Sequence, residues 1–130
     1  LVAEDSDLNR MTVEILLEHS PYTPVFAFNG QEAVTLYKNN STRFPLILMD
    51  VSMPVLNGYL ATERIRAFEK RMKISPCPIV ALTGHAGPED KQLCLRVGMS
   101  DVLVKPIRQA DLVSKLTQFL GDLQAHKAAG

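Results

Sequence analysis

The chain has 130 residues and a mass of 14.4 kDa, and it is 46% apolar, 22% charged and 6% aromatic; this fits one domain around a single core and excludes disorder and two ordinary domains. Fourteen Lys and Arg balance fourteen Asp and Glu, so no net field draws nucleic acid or an anionic membrane, although a local cluster of one sign is compatible with that balance. No apolar run approaches the roughly 18 residues of a membrane span, no signal-peptide pattern is present, and Cys77 and Cys94 are too few for a disulfide scaffold and read as reduced core thiols.

No repeat or low-complexity stretch interrupts the alternation of periods along the chain. Leu1–Ala3 is a short apolar run that meets an acidic cluster at once. A strand of this kind spans about five residues, so the chain is expected to start partway into strand one of a longer protein. Leu8, Met11, Ile15 and Leu16 follow helical spacing until Ser20-Pro21 stops the helix. Leu17 reads equally as core or as part of a docking patch. Thr23–Phe28 is β-branched and aromatic and predicts a strand; Asn29-Gly30 turns the chain into a second helix with Ala33, Val34, Leu36 and Tyr37 on one face. Phe44–Met49 is a continuous apolar run, the pattern of a strand covered on both faces. Ala61, Ile65, Phe68 and Met72 form the stripe of a third helix with a basic C-terminal end. Ile79–Leu82 is another buried strand. Pro88 opens a fourth helix that Gly98 closes, Val102–Val104 is the last strand, and Leu112, Leu116, Phe119 and Leu123 line the final helix.

Five strands alternating with five helices, with strand starts 21 to 34 residues apart, leave room each time for a right-handed crossover. The fold class is therefore α/β, doubly wound, with a parallel sheet and helices on both faces. An eight-fold barrel would need roughly 250 residues. Ligands of open parallel sheets bind at the carboxyl ends of strands, so the residues just past each strand carry the functional expectation.

Glu4, Asp5 and Asp7 follow strand one, Asp50 follows strand three, Thr83 strand four and Lys105 strand five. Each has an ordinary explanation alone: Asp7 is expected to cap the first helix, Asp5 suits a turn, Thr suits a strand end, and a lone Lys is usually solvated. Their joint placement on one rim is what points to a site. Two carboxylates about 4 Å apart repel by roughly 4 kcal/mol at an effective dielectric near 20, so a cluster of acids either raises its own pKa values or takes up a cation. All-oxygen ligands suit Mg²⁺, which commonly waits for a phosphate oxygen. Lys105 adds a point charge and Thr83 a hydroxyl for a phosphoryl group. Asp50 is the best placed to act as nucleophile and become an aspartyl phosphate.

These residues also carry a resemblance over nearly the whole chain. Ala-Glu-Asp at 3–5, Leu-Met-Asp-Val-Ser-Met-Pro at 48–54 with Asn-Gly at 57–58, Ala-Leu-Thr-Gly at 81–84 and Lys-Pro at 105–106 resemble the receiver domain of two-component response regulators. Asn9, Gly98-Met99 and Lys105-Pro106-Ile107 look most like receivers of hybrid sensor histidine kinases. The resemblance implies a flavodoxin-like sheet of order 2-1-3-4-5. It also implies Glu4 and Asp5 as a metal-binding pair, Asp50 as phosphoacceptor, and the backbone carbonyl of Ser52 as a further Mg²⁺ ligand. Thr83 matches the switch hydroxyl and Lys105 the phosphoryl partner. One departure is Val102, where the family commonly has an aromatic residue whose rotation follows the Thr shift; here a response would run through loop and helix packing between residues 84 and 107.

The expected function is phosphoryl acceptance onto Asp50, with Mg²⁺, from a phosphohistidine on a histidine kinase or histidine phosphotransfer protein, followed by a surface switch. Residues 1–124 are expected to form the receiver and 125–130 a tail or linker remnant, in the cytoplasm or the cytoplasmic part of a membrane-bound sensor kinase. His19, His85 and His126 do not occupy the setting of an autokinase histidine, and no nucleotide-binding Gly-rich motif is present, so the segment itself is not a kinase. An aspartyl-phosphate phosphatase usually needs a second Asp where this chain has Ser52. A flavin-nucleotide module needs a phosphate-cradling first loop, whereas Glu-Asp-Ser-Asp repels phosphate. A module that signals by binding alone leaves Asp50, Thr83 and Lys105 unexplained.

Overall fold

The alternation of periods produces five strands and five α-helices among the described residues of the computed structural model, which are 1–85 and 87–121, with one further 3-10 turn at Ser41–Arg43. In chain order they are β1 (Val2–Ala3), α1 (Asp7–Leu17), β2 (Phe26–Ala27), α2 (Gly30–Asn39), β3 (Ile47–Asp50), α3 (Gly58–Met72), β4 (Ile79–Thr83), α4 (Pro88–Val97), β5 (Asp101–Val104) and α5 (Gln109–Leu120). Every ladder is parallel, and the strand order is β2-β1-β3-β4-β5. The chain steps outward from β1 to β2 and then crosses back to β3, so the switch point lies beside β1 and β3. The tail 125–130, Leu123 and His126 lie outside the described residues.

Alternation along the central strands builds two apolar layers. Ile47 and Met49 of β3 and Ile79 and Ala81 of β4 face α2, α3 and α4, packing on Val34, Tyr37, Ile65 and Cys94. Leu48, Val80 and Leu82 point the other way, onto Val13 and Leu17 of α1 and Leu112 and Leu116 of α5. Side chains of this size each contribute about 1.5–3 kcal/mol when fully buried. Both thiols, Cys77 and Cys94, are free and buried. Among the described residues no helix is long and apolar enough to cross a membrane.

Several local expectations are corrected. The strand expected over Thr23–Phe28 is paired only at Phe26–Ala27, since Pro24 has no N–H to give and β2 is an edge strand. The run from Phe44 enters the ladder at Ile47, past the exposed Pro45. Ser6, not Asp7, caps α1: its side chain accepts from the Asn9 N–H, while Asp7 sits in the first turn. Of the expected stripe Leu8, Met11, Ile15 and Leu16, the first three face solvent and Leu16 is partly buried, while α1 buries Val13 and Leu17. Leu17 is therefore core. On α3, Ala61 and Ile65 are buried and Phe68 partly so, but Met72 is exposed and Glu69 takes the inner position.

Candidate functional site

Register brings the strand-end residues to one level. Ala3 pairs with Met49, Asp50 with Leu82 and Thr83 with Val104, so Glu4, Asp50, Thr83 and Lys105 stand side by side at the carboxyl edge. The Glu4 N–H continues the sheet by donating to Ala27 O (3.0 Å), and the Lys105 N–H donates to Thr83 O (2.7 Å). Beneath them α3 starts unusually close to β3. A Cβ at Gly58 would lie 2.2 Å from the Asp50 carbonyl oxygen, so only glycine lets the Asn57-capped helix approach the strand end.

Carboxylate oxygens of Glu4, Asp5 and Asp50 can be chosen within 4.8 Å of one another, and among the described residues no other such group of His, Cys, Asp or Glu occurs. Glu4 and Asp50 are buried, and Asp5 is exposed. Lys105 Nζ donates to both buried acids, at 2.9 Å to Asp50 Oδ2 and 3.1 Å to Glu4 Oε1. Asp50 Oδ1 accepts from the Ser52 N–H at 3.0 Å. One lysine thus serves two buried carboxylates, with a third, Asp5, in the same acidic group.

The charge states follow from this arrangement. Burial, and then the hydrogen-bonded charge of Asp50, push Glu4 from 4.5 up to about 7, against the pull of Lys105. Burial works against the Lys105 ammonium, but its bonds to Asp50 and Glu4 outweigh that and hold its pKa above the ordinary value. Glu4 Oε2 is buried with no hydrogen-bond partner. An orphaned carboxylate oxygen within an excess of negative charge fits a hard cation, so the acidic group can hold a metal ion.

Thr83 lies at the same edge, 3% exposed, but its hydroxyl is engaged elsewhere. It donates to His85 O (3.2 Å) and accepts from the His85 N–H (3.1 Å). His85 itself is exposed, and Val102 is half-buried against the α2–α3–α4 layer. Asp7 stands outside the acidic group and pairs with Arg10. Sequence reading missed Arg10, whose Nη1 donates to Glu4 O at 2.8 Å and whose guanidinium covers the Phe28 ring at 4.5 Å. A basic residue one turn inside an acid-rich helix start was the available signal.

Comparison with known proteins agrees with this architecture. The profile of the response regulator receiver domain matches residues 1–117. The chain is 41% identical over 124 residues to hybrid signal transduction histidine kinase B of Dictyostelium discoideum, covering 89% of this chain and 6% of that protein. It is 39% identical over 121 residues to the sensor protein GacS of Pseudomonas syringae pv. syringae, covering 93% of this chain and 13% of that protein. It therefore spans only a small part of these relatives. Among solved structures, the co-crystal of the Saccharomyces cerevisiae histidine phosphotransfer signaling protein Ypd1 with the receiver domain of its response regulator Ssk1 gives a TM-score of 0.85 at 34% identity, covering 91% of this chain and 85% of that chain. The receiver domain of a Pseudomonas aeruginosa PAO1 sensor histidine kinase, with magnesium coordinated in its active-site cleft, gives 0.80 at 36%, covering 93% and 95%. A profile match over most of the sequence, with relatives alike across nearly all of it, establishes that this chain belongs to the response regulator receiver domain family.

Proposed function

We propose that this domain accepts a phosphoryl group on Asp50 from a phosphohistidine of a histidine kinase or histidine phosphotransfer protein. The observation that carries the reading is the bridging of Asp50 and Glu4 by Lys105 Nζ beside an unpartnered carboxylate oxygen. Glu4, Asp5, Asp50 and the Ser52 carbonyl would hold Mg²⁺, which when bound supplies positive charge for the phosphoryl oxygens. An Asp50 carboxylate oxygen attacks phosphorus in line; the P–N bond to the donor imidazole breaks, and its electron pair leaves with the ring nitrogen. Lys105 keeps its proton throughout and turns from the carboxylates toward the incoming phosphoryl oxygens. Thr83, once drawn from His85, donates its hydroxyl to the same group.

The donor reaches the rim over α1. Leu8, Met11 and Ile15 are 72%, 55% and 63% exposed, and Leu8 lies just past the acidic pair. An apolar stripe of this kind suits a helical partner. Ser52 offers no carboxylate to activate water, which supports a stoichiometric acceptor with slow self-dephosphorylation over a turning-over phosphatase. The receiver is proposed to run to about residue 124, with 125–130 as a tail or linker remnant, and to work in the cytoplasm or as the cytoplasmic part of a membrane-bound sensor kinase.

The test is labelling with a small acyl phosphate, read by intact mass. One phosphoryl group should be gained with Mg²⁺, none in EDTA, and none by Asp50→Asn. Labelling of Asp50→Asn at the wild-type rate, or steady hydrolysis of a phosphomonoester, would overturn the assignment.

A further inference from the structure

Of the three carboxylates at the rim, Glu4 and Asp50 belong to the sheet edge, whereas Asp5 stands on the turn between β1 and the Ser6 cap of α1. Its carboxylate is exposed, and among the described residues no hydrogen bond fixes that side chain. What aims it is the peptide plane before it. The Glu4–Asp5 peptide is planar, so fixing the Glu4 carbonyl oxygen fixes the plane and the Asp5 N–Cα bond, and leaves φ of Asp5 as the one backbone rotation that sets its Cα–Cβ direction. The Glu4 N–H is tied into the sheet through Ala27 O. The Glu4 carbonyl is tied by Arg10 Nη1 at 2.8 Å.

Arg10 is itself immobilised from three directions. Its Nη2 pairs with Asp7 in the first turn of α1, its Nη1 holds the turn after β1, and its face lies 4.5 Å from the centroid of Phe28, the residue that follows β2. Its side chain is only 16% exposed. A planar guanidinium can stack on a ring and donate from its edge at the same time; a lysine ammonium cannot do both. Phe28 is half exposed, so its ring has little packing to gain and serves as a platform for the cation.

We propose that Arg10, held against Phe28, is a positioning residue that presets Asp5 for the divalent cation by clamping the Glu4 carbonyl. The inference rests on the metal-site reading above and adds to it a residue that touches neither metal nor phosphoryl group. It carries a sign that separates it from plain electrostatics. A fixed positive charge bonded to the backbone of a metal-ligand residue repels a cation, so by Coulomb's law alone its removal tightens metal binding. The clamp predicts the opposite, because a loosened Asp5 must be ordered when the ion arrives.

Calorimetric Mg²⁺ titrations of the whole chain decide between them, with wild type, Asp5→Asn, Arg10→Gln, Arg10→Lys and Phe28→Leu compared and each also melted in EDTA. Wild type should bind saturably and Asp5→Asn far more weakly, which checks the site. Arg10→Gln and Arg10→Lys should both bind about tenfold more weakly, the range usual for removing an outer-shell partner of a metal ligand. Phe28→Leu keeps the arginine and should lie between them and wild type; it also decides the matter if an Arg10 variant does not fold. Arg10→Gln binding as tightly as wild type or tighter, with Arg10→Lys unchanged, would overturn the clamp and leave the site intact. So would variants that lose melting temperature in EDTA while keeping wild-type Mg²⁺ affinity, since that marks a merely structural role. Wild type that takes up no Mg²⁺, or takes it up equally without Asp5, would overturn the site and the clamp together.

Discussion

Glu4 is buried away from solvent and shares one lysine with Asp50. Its pKa, raised from 4.5 to about 7, means that the folded state binds this proton more tightly than the unfolded chain does. That contribution to stability is complete below the unfolded value and is lost as pH rises through the folded one. In metal-free buffer the melting temperature should therefore carry a downward component between pH 4.5 and about 7, and Glu4→Gln should remove it. Added Mg²⁺ at pH 8 should restore stability to wild type by mass action and do less for Glu4→Gln. Lys105→Ala takes away the charge proposed to meet the incoming phosphoryl oxygens. Labelling by a small acyl phosphate should slow by about a hundredfold, the usual scale for losing one such donor.

At the level of elements, α1 has two apolar faces, one packed on the sheet and one proposed to meet the donor. With about 3.6 residues per turn, Val13 and Leu17 point to the sheet while Leu8, Met11 and Ile15 point away. Replacing those three with Ser should slow phosphoryl transfer from a protein donor at least about tenfold. Labelling by acyl phosphate and thermal stability should stay near wild type, as checked by parallel time courses and melts. Helix α3 shows the converse constraint. Gly58→Ala would drive a methyl carbon into the Asp50 carbonyl, and denaturant titration should report a loss of about 3 kcal/mol. The number, type and order of elements were legible because parallel α/β chains write them in alternating periods. Glu4, Asp5, Asp50, Thr83 and Lys105 were legible as strand-end residues for the same reason. Which face of α1 meets the sheet was not, because two apolar stripes satisfy one periodicity and only packing chooses between them. The same ambiguity hid Glu69 behind Met72. Arg10 was hidden because its partners are a backbone carbonyl and a ring from another loop.

Across the whole molecule, the far end of the sheet is held by a buried polar cluster. Glu69 accepts from Tyr37 Oη (2.7 Å), the Cys77 N–H (2.6 Å) and Arg66 Nη1 (2.7 Å), and Arg66 also donates to Cys77 O and Gly98 O. These bonds join α2, α3, the approach to β4 and the turn before β5. Burial, then Glu69, hold the Tyr37 phenol well above its ordinary pKa, and the same two causes push the Cys77 thiol up to about 11, so that thiol is inert at neutral pH. Glu69→Ala strands a buried phenol and a guanidinium and should cost about 3 kcal/mol in chemical denaturation. It should leave Mg²⁺ affinity unchanged, since the cluster sits at the opposite edge from the acids.

The bonds between Thr83 and His85 set the noise level of the proposed signal. Two hydrogen bonds of about 1 kcal/mol each hold the hydroxyl away from Asp50 before any phosphoryl group arrives. If both are lost in the switched state, they bias the resting population roughly thirtyfold toward silence. On the proposed reading, the phosphoryl oxygens supply that difference before the surface shifts. A domain built this way reports modification over a low background, and Thr83→Ala should compress the range from both sides, with more output at rest and less when phosphorylated.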